Sequence, residues 1–171
     1  MDAKQVELSL KSLAVNWVNP LALQHCPYIG KMKTPPKATF HREVTIRIAT
    51  DEVTRFGKPK PQRRRFDLIS LVKPHYKAWG EDLFSVGIEI KVSNSDLTRD
   101  SKYKDYLPYV DYFAFAVPTP LLPDARRKIG NNPRLGLINA DTGHWAVIPE
   151  LEITEPAKAA ELYKQIAFSD N

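Results

Sequence analysis

Asp67, Glu89 and Lys91 are the side chains of this sequence whose types and spacing can do chemistry together. Glu89 and Lys91 lie two residues apart in Gly87-Ile88-Glu89-Ile90-Lys91-Val92, and Asp67 stands 22 residues before Glu89. Two carboxylates from adjacent strands can share a Mg²⁺ (or Mn²⁺) ion, which takes oxygen ligands near octahedral geometry and keeps several waters. Such an ion polarises a scissile phosphate and promotes deprotonation of a bound water. An ammonium beside it can contact the phosphate or orient the attacking water, and it adds positive charge near the transition state. Asp67 and Glu89 as metal ligands, with Lys91 as the catalytic cation, are thus the minimal apparatus of a metal-dependent nuclease. The same Glu-x-Lys pattern also describes an exposed ion-pair face, worth a fraction of a kcal/mol. Asp67 argues for the chemical reading, because its neighbours Phe66, Leu68, Ile69 and Leu71 are apolar, and an unpaired carboxylate among them would be costly.

The elements that must position these residues follow from periodicity. Phe84, Val86, Ile88, Ile90 and Val92 alternate with Ser85, Gly87, Glu89, Lys91 and Ser93. That period of two predicts a strand with Glu89 and Lys91 on one face. Arg65 to Val72 reads as a second strand and Glu43 to Thr50 as a third, with a basic loop over 55–65 and a connection over 74–82. Residues 3–18 read as an amphipathic helix, with Val6, Leu10, Leu13, Ala14 and Trp17 on its stripe and Glu7 at the stripe's edge. Residues 19–40, rich in proline, read as irregular connection with a helical turn over 20–24. Ser93 and Asp96 resemble a capping box that starts a helix running to about Leu107, before Pro108. Asp111 to Val117 is a nearly continuous apolar run, the pattern of a strand covered on both faces. Pro118, Pro120 and Pro123 end it. Leu135–Ala140 and Trp145–Ile148 read as strands turning at Asp141-Thr142-Gly143, and Ala157–Phe168 as a final helix.

This order predicts an α/β fold, a central mixed β-sheet flanked by helices. One domain is expected over 1–171, with an N-terminal segment (1–40), a core (41–150) and a C-terminal helix (151–171). The composition, 43 % hydrophobic and 26 % charged, is that of an ordinary globular chain. No apolar run approaches the roughly 20 residues that span a bilayer, so no membrane partner is expected. A single cysteine, Cys26, excludes an internal disulfide framework. With the non-signal-like start Met1-Asp2-Ala3-Lys4-Gln5, it fits a cytoplasmic protein. The net charge of +5 is a mild pointer to an anionic partner.

Arg65-Phe66-Asp67 followed by Gly87-Ile88-Glu89-Ile90-Lys91-Val92-Ser93 resembles the signature of the PD-(D/E)XK nuclease superfamily. The tract from Ser95 through Tyr103 to Asp111, Phe113 to Pro118, and Gly136-Leu137-Ile138-Asn139-Ala140-Asp141 is similar to its MmcB-like branch, proteins associated with bacterial DNA repair. The likeness covers roughly residues 43–148. It implies a restriction-endonuclease-like core, metal ligation by Asp67 and Glu89, a catalytic role for Lys91, and hydrolysis of DNA phosphodiesters. Many superfamily members carry a supporting glutamate on the first helix. Glu7 is the candidate here, with Glu43 in competition and an ordinary ion pair to Lys11 as the other reading of Glu7. Many such folds form homodimers, although no heptad or apolar stripe marks one in this sequence.

Three basic clusters bear on a DNA partner: Arg55 to Arg65, Lys31 with Lys33 and Lys37, and Arg126 to Lys128. Contacts from such groups to phosphate supply most non-specific affinity for DNA. Tyr103, Tyr106, Tyr109 and Tyr112, at three-residue steps, read as packing rather than base stacking. His25 beside Cys26 lacks a second pair with zinc spacing. The competing function is a non-catalytic nucleic-acid-binding protein on a nuclease scaffold.

Overall fold

A computed structural model describes residues 1–26, 34–48, 50–75 and 82–169. Its centre is the strand β5 (Phe84–Ile90), every residue of which is buried. On one side β5 pairs antiparallel with β4 (Leu68–Lys73), and on the other it pairs parallel with β6 (Tyr112–Val117). β6 in turn pairs parallel with β7 (Leu135–Asn139). β1 (Lys37–Arg42) and β8 (Trp145–Val147) close the two edges, giving a six-stranded sheet in the order β1-β4-β5-β6-β7-β8. The fold is therefore α/β with a mixed central sheet, as its sequence predicts. A separate two-stranded ribbon, β2 (Thr45–Ile48) with β3 (Gln62–Arg65), stands outside that sheet.

Alternation along β5 divides the protein into two layers. Phe84, Val86, Ile88 and Ile90 face α1 (Ala3–Ser12) and α2 (Ala14–His25), packing with Val6, Leu10, Trp17 and Leu21. Phe66, Ile69, Phe113 and Phe115 face the other way. They pack with α3 (Asn94–Arg99), α4 (Tyr103–Tyr106), α5 (Leu122–Ile129) and α6 (Pro156–Ser169). The odd positions of β5, from Ser85 through Gly87 to Glu89, belong to this second layer.

Gly87 is required there by space. A Cβ at this position would lie 2.8 Å from Cε1 of Phe66 and 3.2 Å from Cγ2 of Val110. The Phe66 ring lies across the strand and packs on Tyr106 with centroids 4.4 Å apart, which fixes the residue immediately before Asp67.

Several elements differ from the sequence expectation, each for a physical reason. The helix over 3–18 breaks at Leu13, and a second helix continues through Pro20 to His25. Burial of Trp17, Val18, Leu21 and Ala22 overrides the lost proline N–H bond. Within the stretch expected as irregular connection over 19–40, the described residues instead complete α2 to His25 and begin the edge strand β1 at Lys37. The strand expected over 43–50 starts only after Glu43, whose φ of 51° breaks the extended chain. It pairs with residues expected in the basic loop. Phe66 and Asp67 interrupt the strand expected over 65–72.

The helix expected to reach Leu107 stops at Arg99, where Asp100 turns to extended backbone and its carboxylate accepts a bond from Lys102 N. Ser93 caps α3 through Asp96 N. α5 was not expected at all, since Pro118, Pro120 and Pro123 read as terminators. Pro123 sits in its first turn, where a missing N–H is tolerated. The expected connection over 74–82 lies largely outside the described residues.

Replacing Gly87 by alanine is expected to destabilise the protein by roughly 1–3 kcal/mol through overpacking against Phe66. Denaturant unfolding measures this, and the penalty should be largely relieved when Phe66 is shortened to leucine in the same chain.

Candidate functional site

The site sits where β4 and β5 leave their ladder. Leu68 pairs with Ile88, so the next step of the antiparallel register sets Asp67 opposite Glu89. Asp67 is held from two directions: its Oδ2 accepts from Ile90 N at 2.8 Å, and its carbonyl accepts from Glu43 N at 3.2 Å. The left-handed backbone of Glu43 aims that second donor. Lys91 continues β5 beyond its last strand residue, its N–H bonding to Ala116 O at 3.0 Å.

The Glu89 and Lys91 side chains are buried, only 6 % and 9 % exposed. The exposed ion-pair reading of Glu-x-Lys is therefore overturned: α3 and α4 cover the face that an alternating pattern alone would leave to solvent. Lys91 Nζ bonds Glu89 Oε2 at 3.2 Å and Asp100 Oδ2 at 2.6 Å, with Asp96 farther off at 3.9 Å. Asp100, whose side chain is 4 % exposed, is the residue that sequence reasoning missed. Its signal was the Asp96–Asp100 spacing on the helix after β5, and its role depends on the helix ending there.

Three carboxylates around one ammonium make the site electrostatically overloaded with negative charge. Burial, then the nearby Asp67 charge, pushes the Glu89 carboxyl up to about 8. Burial also raises Asp67, more than its bond from Ile90 N lowers it. For Lys91 burial works toward a lower value, but the bond to Asp100 and the charge of Glu89 outweigh it and push the ammonium up to about 12. Lys91 thus stays charged while Glu89 holds a proton near neutrality.

These groups open into a cleft of about 840 Å³ bordered by Glu7, Arg42, Glu43, Arg64, Arg65 and Tyr106. Glu7 does reach inward from α1. However, its Oε1 is taken by Lys11 at 2.7 Å and its Oε2 by Arg42 Nε at 2.9 Å, so it lines the cleft as a neutralised anchor. Glu43 lines the same rim and pairs with Arg65 at 3.5 Å. Arg64 is bound to Asp105 at 2.6 Å, and Tyr106 donates to Arg65 O at 2.9 Å, tying the ribbon to α4.

Mg²⁺ fits Asp67 and Glu89 on one observation: Glu89 Oε1 is buried with no hydrogen-bond partner. Among the described residues no group of three or more His, Cys, Asp or Glu side chains could hold a metal ion. The carboxylates are a pair, as suits a cation that retains several waters.

The other sequence signals divide. Arg63, Arg64 and Arg65 line the cleft. The α5 cluster has local duties, with Arg126 bonded to Ala146 O, Arg127 to Asp124, and Lys128 to the carbonyls of Asp100 and Thr98 at the end of α3. Lys31 and Lys33 lie outside the described residues. The tyrosines pack, Tyr103 against Phe113 and Phe115 and Tyr106 against Phe66. Cys26 is buried, and His25 packs against Phe84. Among the described residues no helix is long and apolar enough to cross a membrane.

No protein-family model matches the sequence, and none of the curated proteins matches it. Among solved structures the chain is similar to the SPO1766 protein of unknown function from Silicibacter pomeroyi. The TM-score is 0.51 and the identity 17 %, over 90 % of this chain and 82 % of that one. The likeness is one of fold.

The raised Glu89 carboxyl sets a pH signature. Between the ordinary value of 4.5 and about 8, the folded chain keeps a proton that the unfolded chain has shed, so stability falls as pH rises through that window. In chelator, the melting temperature should therefore drop from pH 5 to pH 8, reflecting a loss on the order of a few kcal/mol. Glu89→Gln should flatten most of that drop. Mn²⁺ should raise the wild-type melting temperature more at pH 8 than at pH 5 and should do little for Glu89→Gln. Calorimetry at the two pH values reads all three.

Proposed function

We propose that this chain is a metal-dependent nuclease of the PD-(D/E)XK type that hydrolyses DNA phosphodiester bonds. The observation that carries the reading is the buried Glu89–Lys91 pair placed opposite Asp67, with one Glu89 oxygen unpartnered. A purely structural ion pair gains nothing from a second carboxylate set against it, because like charges in a low-dielectric site destabilise one another.

Asp67 and Glu89 hold the ion, which when bound supplies Lewis-acid activation of the phosphate and an acidified water. Lys91 supplies fixed positive charge. An ammonium has three donors, and two of them are used by Glu89 and Asp100. The third is left for a phosphate oxygen of the substrate or for the attacking water. Asp100 is a positioning residue: it aims Lys91 and helps keep it protonated at every working pH. Arg42 and Arg65, on the cleft rim, are exposed cations that suit the phosphates flanking the scissile one. A role in DNA repair follows only from the resemblance to the MmcB-like branch and remains part of the proposal.

Purified protein with Mg²⁺ or Mn²⁺ should cleave at least one of single-stranded, duplex, branched or damaged DNA. Lys91→Ala should lower the rate about 10²–10³-fold, the scale of losing one fixed charge aimed at the transition state. Asp67→Ala should do the same while keeping DNA binding. Asp100→Ala should cost about 10- to 100-fold, the range for an outer residue that orients a site group, and Asp100→Asn should recover part of it. Absence of cleavage on every DNA form, with binding retained, would replace this reading by the non-catalytic one.

A further inference from the structure

The β2–β3 ribbon stands outside the six-stranded sheet, and one of its faces carries charge that its own structure does not neutralise. Arg47 and Arg63 are directly opposite across the ribbon and so share a face, with Arg65 two residues further along it. Like charges set directly across a strand pair are destabilising. Both Arg47 and Arg63 are exposed, and neither has an acidic partner among the described residues. The other face is spent on the body of the protein, where Ile46 is buried and Arg64 binds Asp105. The base is pinned by Tyr106 to Arg65 O and by Tyr109 to Arg47 O.

The far end is a built turn that presents an aromatic ring. Thr54 N bonds Lys58 O at 2.7 Å, Lys60 N bonds Glu52 O at 2.7 Å, and Val53 bridges Pro59. Gly57 supplies the left-handed residue at φ 72°. On this turn Phe56 is 74 % exposed, and the Arg55 guanidinium lies over its ring, 4.7 Å from the centroid. A cation thus lies over the ring while most of the residue's surface is exposed to solvent. Phe56 stands seven positions before Arg63, so its Cα lies within about 25 Å of the Cα of a residue that borders the cleft. That is less than one turn of duplex, about 34 Å.

We infer that the ribbon reads DNA in which duplex meets single strand: the Arg47–Arg63 face grips backbone phosphates while Phe56 stacks on an unpaired base. The inference rests on the nuclease reading and specifies its substrate. Stacking on an aromatic is indifferent to base identity, so the arm selects a DNA form, not a sequence. The arginines hold register without contributing sequence information.

The test uses the full chain carrying Asp67→Ala, in chelator, so that binding is read without cleavage. Its probes are a labelled blunt duplex and the same duplex with a single-stranded branch bearing 2-aminopurine beside the junction. The branched DNA should bind at least about 10-fold more tightly, and its 2-aminopurine fluorescence should be quenched on binding. Phe56→Ala should reduce the branched-to-blunt affinity ratio about five-fold or more and abolish the quench, whereas Phe56→Trp should keep both. Arg47→Ala with Arg63→Ala should weaken both DNAs alike and lower the salt slope by about 2. Equal affinity for the two DNAs, or a Phe56→Ala protein with an unchanged ratio and quench, overturns the inference and leaves the nuclease reading standing. Failure to bind either DNA overturns both.

Discussion

Burying negative charge against negative charge is the constraint on which the rest of this structure depends. β5 is covered on both faces, yet it carries Glu89 and is followed by Lys91 inside the same covered layer. A carboxylate moved from water to such a place is stable only if it is neutralised, protonated or bound to a cation. The surroundings offer Glu89 one ammonium, shared with Asp100, and then add Asp67. Packing elsewhere serves this arrangement: Phe66 lies across Gly87, Ser93 starts the helix that brings Asp96 and Asp100 over Lys91, and Lys128 braces the carbonyl at that helix's end.

Much of this was legible in the sequence, and what was missed was missed for definable reasons. β5 and β6 carry strong signals, a period of two in one and an unbroken apolar run in the other, because both are central strands. Asp67, Glu89 and Lys91 were recognisable from spacing and are brought to one cleft. Their burial was not recognisable, because alternation reports which residues share a face and says nothing about what covers it. Asp100 was hidden by a helix pattern that continued past it. Edge elements were the hardest: β1 alternates only weakly, with Ala38 and Phe40 half-buried, and it follows two prolines. α5 begins with prolines that serve equally well to end a strand or to open a helix.

Glu7 shows how a residue can be placed correctly and still have a different electrostatic role. Its position on the α1 stripe does carry it to the cleft. Once there, Lys11 and Arg42 occupy both oxygens. The first helix thus contributes a neutral strut that joins α1 to the end of β1, while the ribbon adds Arg63, an exposed cation of the cleft. The similarity to the solved structure at 17 % identity is one of fold and does not extend to this pairing.

The two-layer division of β5 has a consequence for how this chain can change length. Its even residues are apolar and feed one core, while its odd residues include Glu89 and feed the other. Inserting or deleting one residue within the strand exchanges the two sets. An isoleucine would then face the cleft and the glutamate would be driven among Val6, Leu10 and Trp17. β4 is under the same rule through its register with β5. Length can vary more readily away from this pair, as at the exposed turn between β2 and β3, whose residues take no part in the six-stranded sheet.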